Sequence, residues 1–275
     1  MTSWCLRIGA TLLVLAAPLF AQEQKTQPAR LSDGQPDVQG VWGAVIVGVF
    51  SLTNPMTGGD DFAQRLGGPP IRRPSRIVDP SDGRVPYQPW AAALQERQSS
   101  AWENATRPWE IDTQSRCLLS IAPRLAMLPT PFRIIQAAAS VVFVWEDYHA
   151  YRVVPLDGRP HVGSSMKLWM GDARGHWEDN TLVIDTTNMN GKGRLSVVGD
   201  FLSEHAHVTE RLTFVDADTM NYEATIDDPD VFTRPWTLRA AEKRKPDYEF
   251  WENACHEGEM SVESMLLTDQ NGKKR

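Results

Sequence analysis

From residue 133 onward the chain is a succession of short β-prone runs, at 133–138, 140–146, 149–155, 167–170, 181–187, 205–215, 220–226 and 237–243, with little helical pattern between them. Apolar and β-branched residues alternating with polar ones suit a pleated surface with one buried face. Asp216-Ala217-Asp218-Thr219 is a tight polar link between two alternating runs and reads as a hairpin connection. Consecutive short strands joined by turns pair antiparallel with their chain neighbours. The expected fold class is therefore mostly β: an antiparallel meander that curls into a barrel, with a short helix and an irregular N-terminal excursion.

The first half of the chain is read in pieces. Arg7, an apolar run over 8–20 and Ala21 have the form of a secretory signal peptide, with cleavage after Ala21. That run is short for a membrane span and no second one of about 18 residues follows, so no membrane insertion is expected. Residues 22–36 are polar and expected to be a disordered linker; one domain then spans 37–263, with an inserted irregular segment at 51–110 and a frayed tail at 264–275. Within it, 38–50 reads as the first strand, 51–88 as a Gly- and Pro-rich excursion, and 89–104 as a helix with Pro in its first turn. Trp90, Leu94 and Gln98 share one face of that helix.

Loss of Arg7 with the signal moves the formal net charge from −7 to −8. An acidic exported protein is poorly matched to nucleic acid or to an anionic membrane surface. Cys5 leaves with the signal, and Cys117 and Cys255 remain. In an oxidising compartment two such thiols form one disulfide, with a reactive thiol as the rival reading.

Candidate chemistry concentrates at 157–185. Asp157-Gly158 is a turn, and His161 follows it with Asp157, Arg159 and Asp172 close by in the chain, the setting of a general base held by a carboxylate. Glu146 and Arg152 flank a strand junction, at one mouth of a barrel, where Glu146 reaches toward His161 or a ligand and Arg152 or Arg159 holds an anionic oxygen. The bland reading makes these a solvated turn. His205 and His207 are two apart on an expected strand and point to the same side, a pair that grips a metal only with a third ligand such as His161 or His256. No HExxH or CxxC accompanies them, and no metal is assigned. Glu210 faces the opposite side from His207; ion pairs across strands are its bland reading, but beside Arg152 inside the barrel it would be a costly buried charge unless it served a ligand. Trp169 and Trp177 are candidate aromatic walls for a flat apolar or sugar ligand, with core packing as the alternative.

Gly40-Val41-Trp42 on the first strand, followed by the meander, resembles the lipocalin-like barrels. That resemblance implies a Trp closing the barrel floor and an Arg of the last strand packed over it, for which Arg239 is the nominated position. A second resemblance covers most of the chain. Asp33-Gly34-x-Pro36-Asp37, Arg116-Cys117, Asp157-Gly158-Arg159-Pro160-His161, Trp169-x-Gly171-Asp172-x-x-Gly175-x-Trp177-Glu178, Glu210-Arg211, Asp228-Pro229 and Pro235-Trp236 look like a large family of exported bacterial proteins of unassigned activity. This chain has Asp179 where that family usually has Gly and Ala173 where it has Ser. The resemblance implies export and a shared β architecture, and no reaction.

Two functional classes follow. One is an exported, cofactor-independent enzyme (a lyase, hydratase, isomerase or hydrolase) acting by acid/base catalysis on a small cyclic or aromatic molecule. His161, Asp157, Asp172 and Glu146 are its catalytic candidates; Arg152, Arg159, Trp169, Trp177, His207 and Glu210 are its ligand-binding candidates. The other is a non-catalytic periplasmic carrier for a small apolar ligand. Gly67-Gly68-Pro69-Pro70 lacks the Lys and Ser/Thr of a phosphate loop, so no nucleotide cofactor is expected. Oligomeric state and substrate identity are left open.

Overall fold

In a computed structural model, which describes residues 27–46, 48–54, 67–69 and 73–267, the chain is one antiparallel sheet of ten strands rolled into a nearly closed barrel. The strands are β1 (Gly40–Ala44), β2 (Ile77–Asp79), β3 (Phe132–Ala137), β4 (Ser140–Trp145), β5 (Tyr151–Pro155), β6 (Asp172–Glu178), β7 (Thr181–Thr187), β8 (His207–Asp216), β9 (Thr219–Asp227) and β10 (Trp236–Arg244). Their order is β5-β4-β3-β1-β10-β9-β8-β7-β6, and β2 lies beside β10 in line with β1. The expected signal peptide lies outside the described residues.

Strict alternation makes the interior. Val141, Phe143 and Trp145 of β4, Leu212 and Phe214 of β8, Met220 and Tyr222 of β9, and Leu238 of β10 all point inward and are buried. Each such side chain stabilises the fold by roughly 1.5–3 kcal/mol through the area it removes from water. Trp42 closes one end: its indole N–H donates to the Val38 carbonyl at 2.9 Å, and Phe214 meets the ring edge-on at 5.5 Å. The arginine over that ring is Arg244, 4.6 Å from the ring centroid, and not Arg239. Parity is the reason. Even positions of β10 face inward, so Arg239 points outward to Glu223 at 2.5 Å.

The free edges of the sheet, β5 and β6, meet through side chains. Gly175 sits at this seam, where a Cβ would lie 2.7 Å from Val154 and 3.0 Å from Leu156. The inward positions of β6 are thus Ala173, Gly175 and Trp177, two of them small, which is why this strand lacks an apolar signature and the sequence points to 167–170 in its place. The latter is irregular, with only Leu168 bridging to Met189.

Outside the barrel, helix α1 spans Pro89–Glu103, one residue short of the expected end. Residues 27–36, expected to be disordered, form a hydrogen-bonded loop in which Arg30 pairs with Pro36, and the Arg30 guanidinium donates to Asn180 Oδ1 at 2.5 Å. The C-terminal segment is likewise held as far as residue 267. Cys117 and Cys255 form a disulfide, and a second helix, α2, spans Ser261–Leu267, so the first four residues of the tail expected to fray are helical and the other eight lie outside the described residues. Among the described residues no helix is long and apolar enough to cross a membrane.

Candidate functional site

His161 sits in the loop between β5 and β6, and both of its ring nitrogens face carboxylates. Nδ1 is 2.9 Å from Asp172 Oδ2, and Nε2 is 2.7 Å from Asp185 Oδ2 on β7. The other oxygen of Asp185 pairs with His207 Nε2 on β8, and Asp172 accepts from Arg174 at 2.6 Å and from the Val162 N–H at 3.0 Å. Burial pushes both aspartates up. The Val162 N–H, His161 and Arg174 outweigh it at Asp172, and His207 and His161 do so at Asp185, so both carboxyls sit below the usual range. Both ring nitrogens are thus occupied by carboxylates of the protein itself, and neither is left facing a ligand. The arrangement ties the 157–171 loop to the outer face of the barrel.

The other residues expected around His161 are elsewhere. Asp157 pairs with Arg159 at an exposed loop tip, Nε to Oδ2 at 2.7 Å, so Asp157 does not orient His161 and Arg159 is already neutralised. Glu146 is buried and accepts from the Tyr248 hydroxyl at 2.9 Å and the Trp251 N–H at 2.6 Å. Beside it Asp147 accepts from Asn253 at 2.6 Å and Thr130 at 2.6 Å. These two acids clasp the C-terminal segment that carries Cys255.

Glu210 does point into the barrel beside Arg152. The guanidinium is 2.5 Å from Glu210 Oε2 and 2.5 Å from Thr186 Oγ1, and Glu210 Oε1 accepts from the Tyr222 hydroxyl at 2.8 Å. Burial, then the Glu210 charge, pushes the Tyr222 phenol far up. The cavity these groups share with Phe143, Ile184 and Leu212 is about 20 Å³, room for a water and not for an organic ligand. Trp177 packs against Phe214 in the same interior, centroids 6.1 Å apart, and is part of the core.

The large concavity is outside the barrel. It is a groove of about 730 Å³ between α1, the 3-10 turn Pro108–Glu110, and the loops around 168–170, 190–194 and 201–205. Trp90, Trp109, Trp169 and Phe201 supply aromatic wall, and the face of α1 that carries Trp90, Leu94 and Gln98 lines it. Trp169 is anchored by its indole N–H, which donates to the Leu119 carbonyl at 2.7 Å. Of the expected ligand-binding residues, only Trp169 is in this groove.

Sequence reasoning missed what else is here. His205 precedes β8 instead of lying on it, and its Nδ1 is 2.6 Å from Asp230 Oδ2. His205 and His207 are thus turned to different carboxylates. No hydrogen bond is made by His205 Nε2 among the described residues. A ring nitrogen held by a carboxylate with its partner nitrogen open is the arrangement a proton-transferring histidine needs. The signal that finds this dyad is the hairpin. Asp216 and Thr219 close it, His205 lies eleven residues before the first and Asp230 eleven after the second, so both fall at its open end.

For metals, the one group of three ligating side chains among the described residues is Cys117, Cys255 and Glu259, and its two sulfurs are bonded to each other. No protein-family model matches this chain, and no curated protein matches it.

Proposed function

We propose that this chain is an exported, cofactor-independent enzyme that binds a small cyclic or aromatic molecule in the outer groove and works on it by acid/base chemistry. His205 is the proton-transferring group, oriented by Asp230, and the substrate ring lies against Trp169 and its aromatic neighbours. The reaction class is that of a lyase, hydratase, isomerase or hydrolase, in which proton movement without redox chemistry suffices. One observation carries the reading: the His205–Asp230 pair, 2.6 Å apart, stands at the edge of a groove of about 730 Å³ with aromatic walls. In contrast, His161 has both nitrogens engaged and lines neither the cavity inside the barrel nor the groove.

The test is thermal unfolding and turnover against a panel of small aromatic, glycosidic and terpenoid compounds, for the wild type, His205→Ala and Asp230→Asn. A compound that stabilises all three should be consumed by the wild type and about 10²- to 10⁴-fold more slowly by His205→Ala. Equal turnover in His205→Ala refutes the assignment. A compound that stabilises the wild type and is never consumed makes the protein a carrier, with the groove and not the barrel as its site.

A further inference from the structure

The two carboxylates in the groove's lining, Glu204 and Asp230, are paired with Lys167 and His205, and two arginines stand in the same lining. Arg116, on the 3-10 turn Gln114–Arg116, and Arg194 both line the groove. Behind them Arg124 is fully buried and paired twice with Asp112, at 2.8 and 2.7 Å. Among the described residues Asp112 is the carboxylate whose charge acts on both Arg116 and Arg194, and its own oxygens are taken by Arg124. Three guanidiniums therefore gather around one acid. Arg194 spends its donors on the carbonyls of Glu110 at 3.3 Å and Trp109 at 3.2 Å. Arg116 spends none. Its side chain makes no hydrogen bond or ion pair among the described residues, and its Nε is buried without a partner. Burial and the crowding of like charge also hold Arg194 below the usual arginine range, and burial does the same to Arg116.

We infer that Arg116 binds an oxyanion carried on the ligand's ring, so that the groove selects ring acids (carboxylates, sulfates or phosphates) over their neutral counterparts. A guanidinium is the side chain best suited to such a group, because its planar fork pairs two oxygens at once and is the more weakly hydrated cation. Neither arginine expected to hold an anion is available for it: Arg152 is paired inside the barrel and Arg159 with Asp157. The inference rests on the groove being the ligand site proposed above, and it adds the charge class of the ligand and the residue that reads it.

Calorimetric titration of benzoate against benzamide, and of glucuronate against glucose, tests it directly. In the wild type at least one acid should bind about tenfold or more tightly than its neutral partner. Arg116→Gln should weaken that acid by about ten- to a hundredfold, leave the neutral ring unchanged, and remove the preference. Arg116→Lys should recover part of it, and an unchanged unfolding temperature separates this loss from misfolding next to Cys117. Equal binding of acid and neutral ring by the wild type, or an acid affinity untouched by Arg116→Gln, overturns the inference. So does inorganic phosphate binding as tightly as the ring acids, which makes the floor a plain anion site. The readout is binding, so lack of turnover, or full turnover by His205→Ala, refutes the acid/base reading and leaves this one standing.

Discussion

Replacing Arg152 by Met isolates what the charged pair inside the barrel does. Met matches the aliphatic stem of Arg152 and meets the apolar wall of Phe143, Trp145 and Leu212. It leaves the Glu210 carboxyl, 3 % exposed, without its cationic partner and with the Tyr222 hydroxyl as its remaining hydrogen-bond donor. Breaking a buried pair from one side costs about 3–5 kcal/mol, since the remaining charge is desolvated without compensation. For a domain of this size each kcal/mol moves the unfolding midpoint by about 2–4 °C, so the single variant should melt roughly 6–20 °C lower. Adding Glu210→Leu and Tyr222→Phe removes the stranded acid and its hydroxyl partner, leaving only the Thr186 hydroxyl unpaired, at about 1–3 kcal/mol. The triple variant should therefore regain most of the loss. Scanning calorimetry of the wild type, the single and the triple variant decides the matter. An Arg152→Met midpoint within about 2 °C of wild type, or a triple variant below the single one, refutes the reasoning.

Three further outcomes are expected. Asp172 and Asp185 have folded-state carboxyls below their unfolded value, so the stability they contribute is present above about pH 4 and lost as pH falls through the folded values. The acid limb of a midpoint-against-pH curve should be shallower in Asp185→Asn than in wild type, and an unchanged limb counts against it. Arg244→Ala should cost about 2–3 kcal/mol in urea unfolding, from the lost stacking on Trp42 and the hydrogen bonds to the Ala217 and Gln39 carbonyls. Arg239→Ala, whose partner Glu223 is also on the surface, should stay within about 0.5 kcal/mol. Replacing both Cys117 and Cys255 by Ser releases a loop of 138 residues, for which chain entropy sets an upper cost of about 5 kcal/mol, read as a lower urea midpoint.

Most of the strand assignment was legible because one face of each strand is buried. β4, β8 and β9 alternate residue by residue, and alternation survives in sequence as a two-residue period. β6 was not legible, because a barrel seam demands small inward residues and Gly175 leaves no apolar mark. The site divides in the same way. His161 and Asp172 are eleven residues apart and were paired on chain proximity, correctly as a contact. The second contact of His161, with Asp185, gives the cluster a different meaning, and it depends on which face of β7 the aspartate occupies. Chain proximity suggests Asp157 and a strand junction at the barrel mouth suggests Glu146, and both mislead: a turn acid bonds its own loop, and a strand-end acid clasps a segment about 105 residues away.

The sequence by itself determined the class of fold, a helix starting at Pro89, the Gly-Val-Trp opening and the pairing of two cysteines, because each depends on local periodicity, turn chemistry or simple counting. Only the tertiary structure decided that the barrel is filled and that the groove lies outside it. Whether an interior is hollow depends on side-chain volumes summed across ten strands. The groove joins α1, two 3-10 turns, two inter-strand loops and the end of a hairpin, so its charge and shape are set by segments that no short-range pattern relates. That Arg124 holds both oxygens of Asp112 while Arg116 makes no ion pair among the described residues is a fact about the distribution of one carboxylate among three cations, and it exists only once the chain has folded.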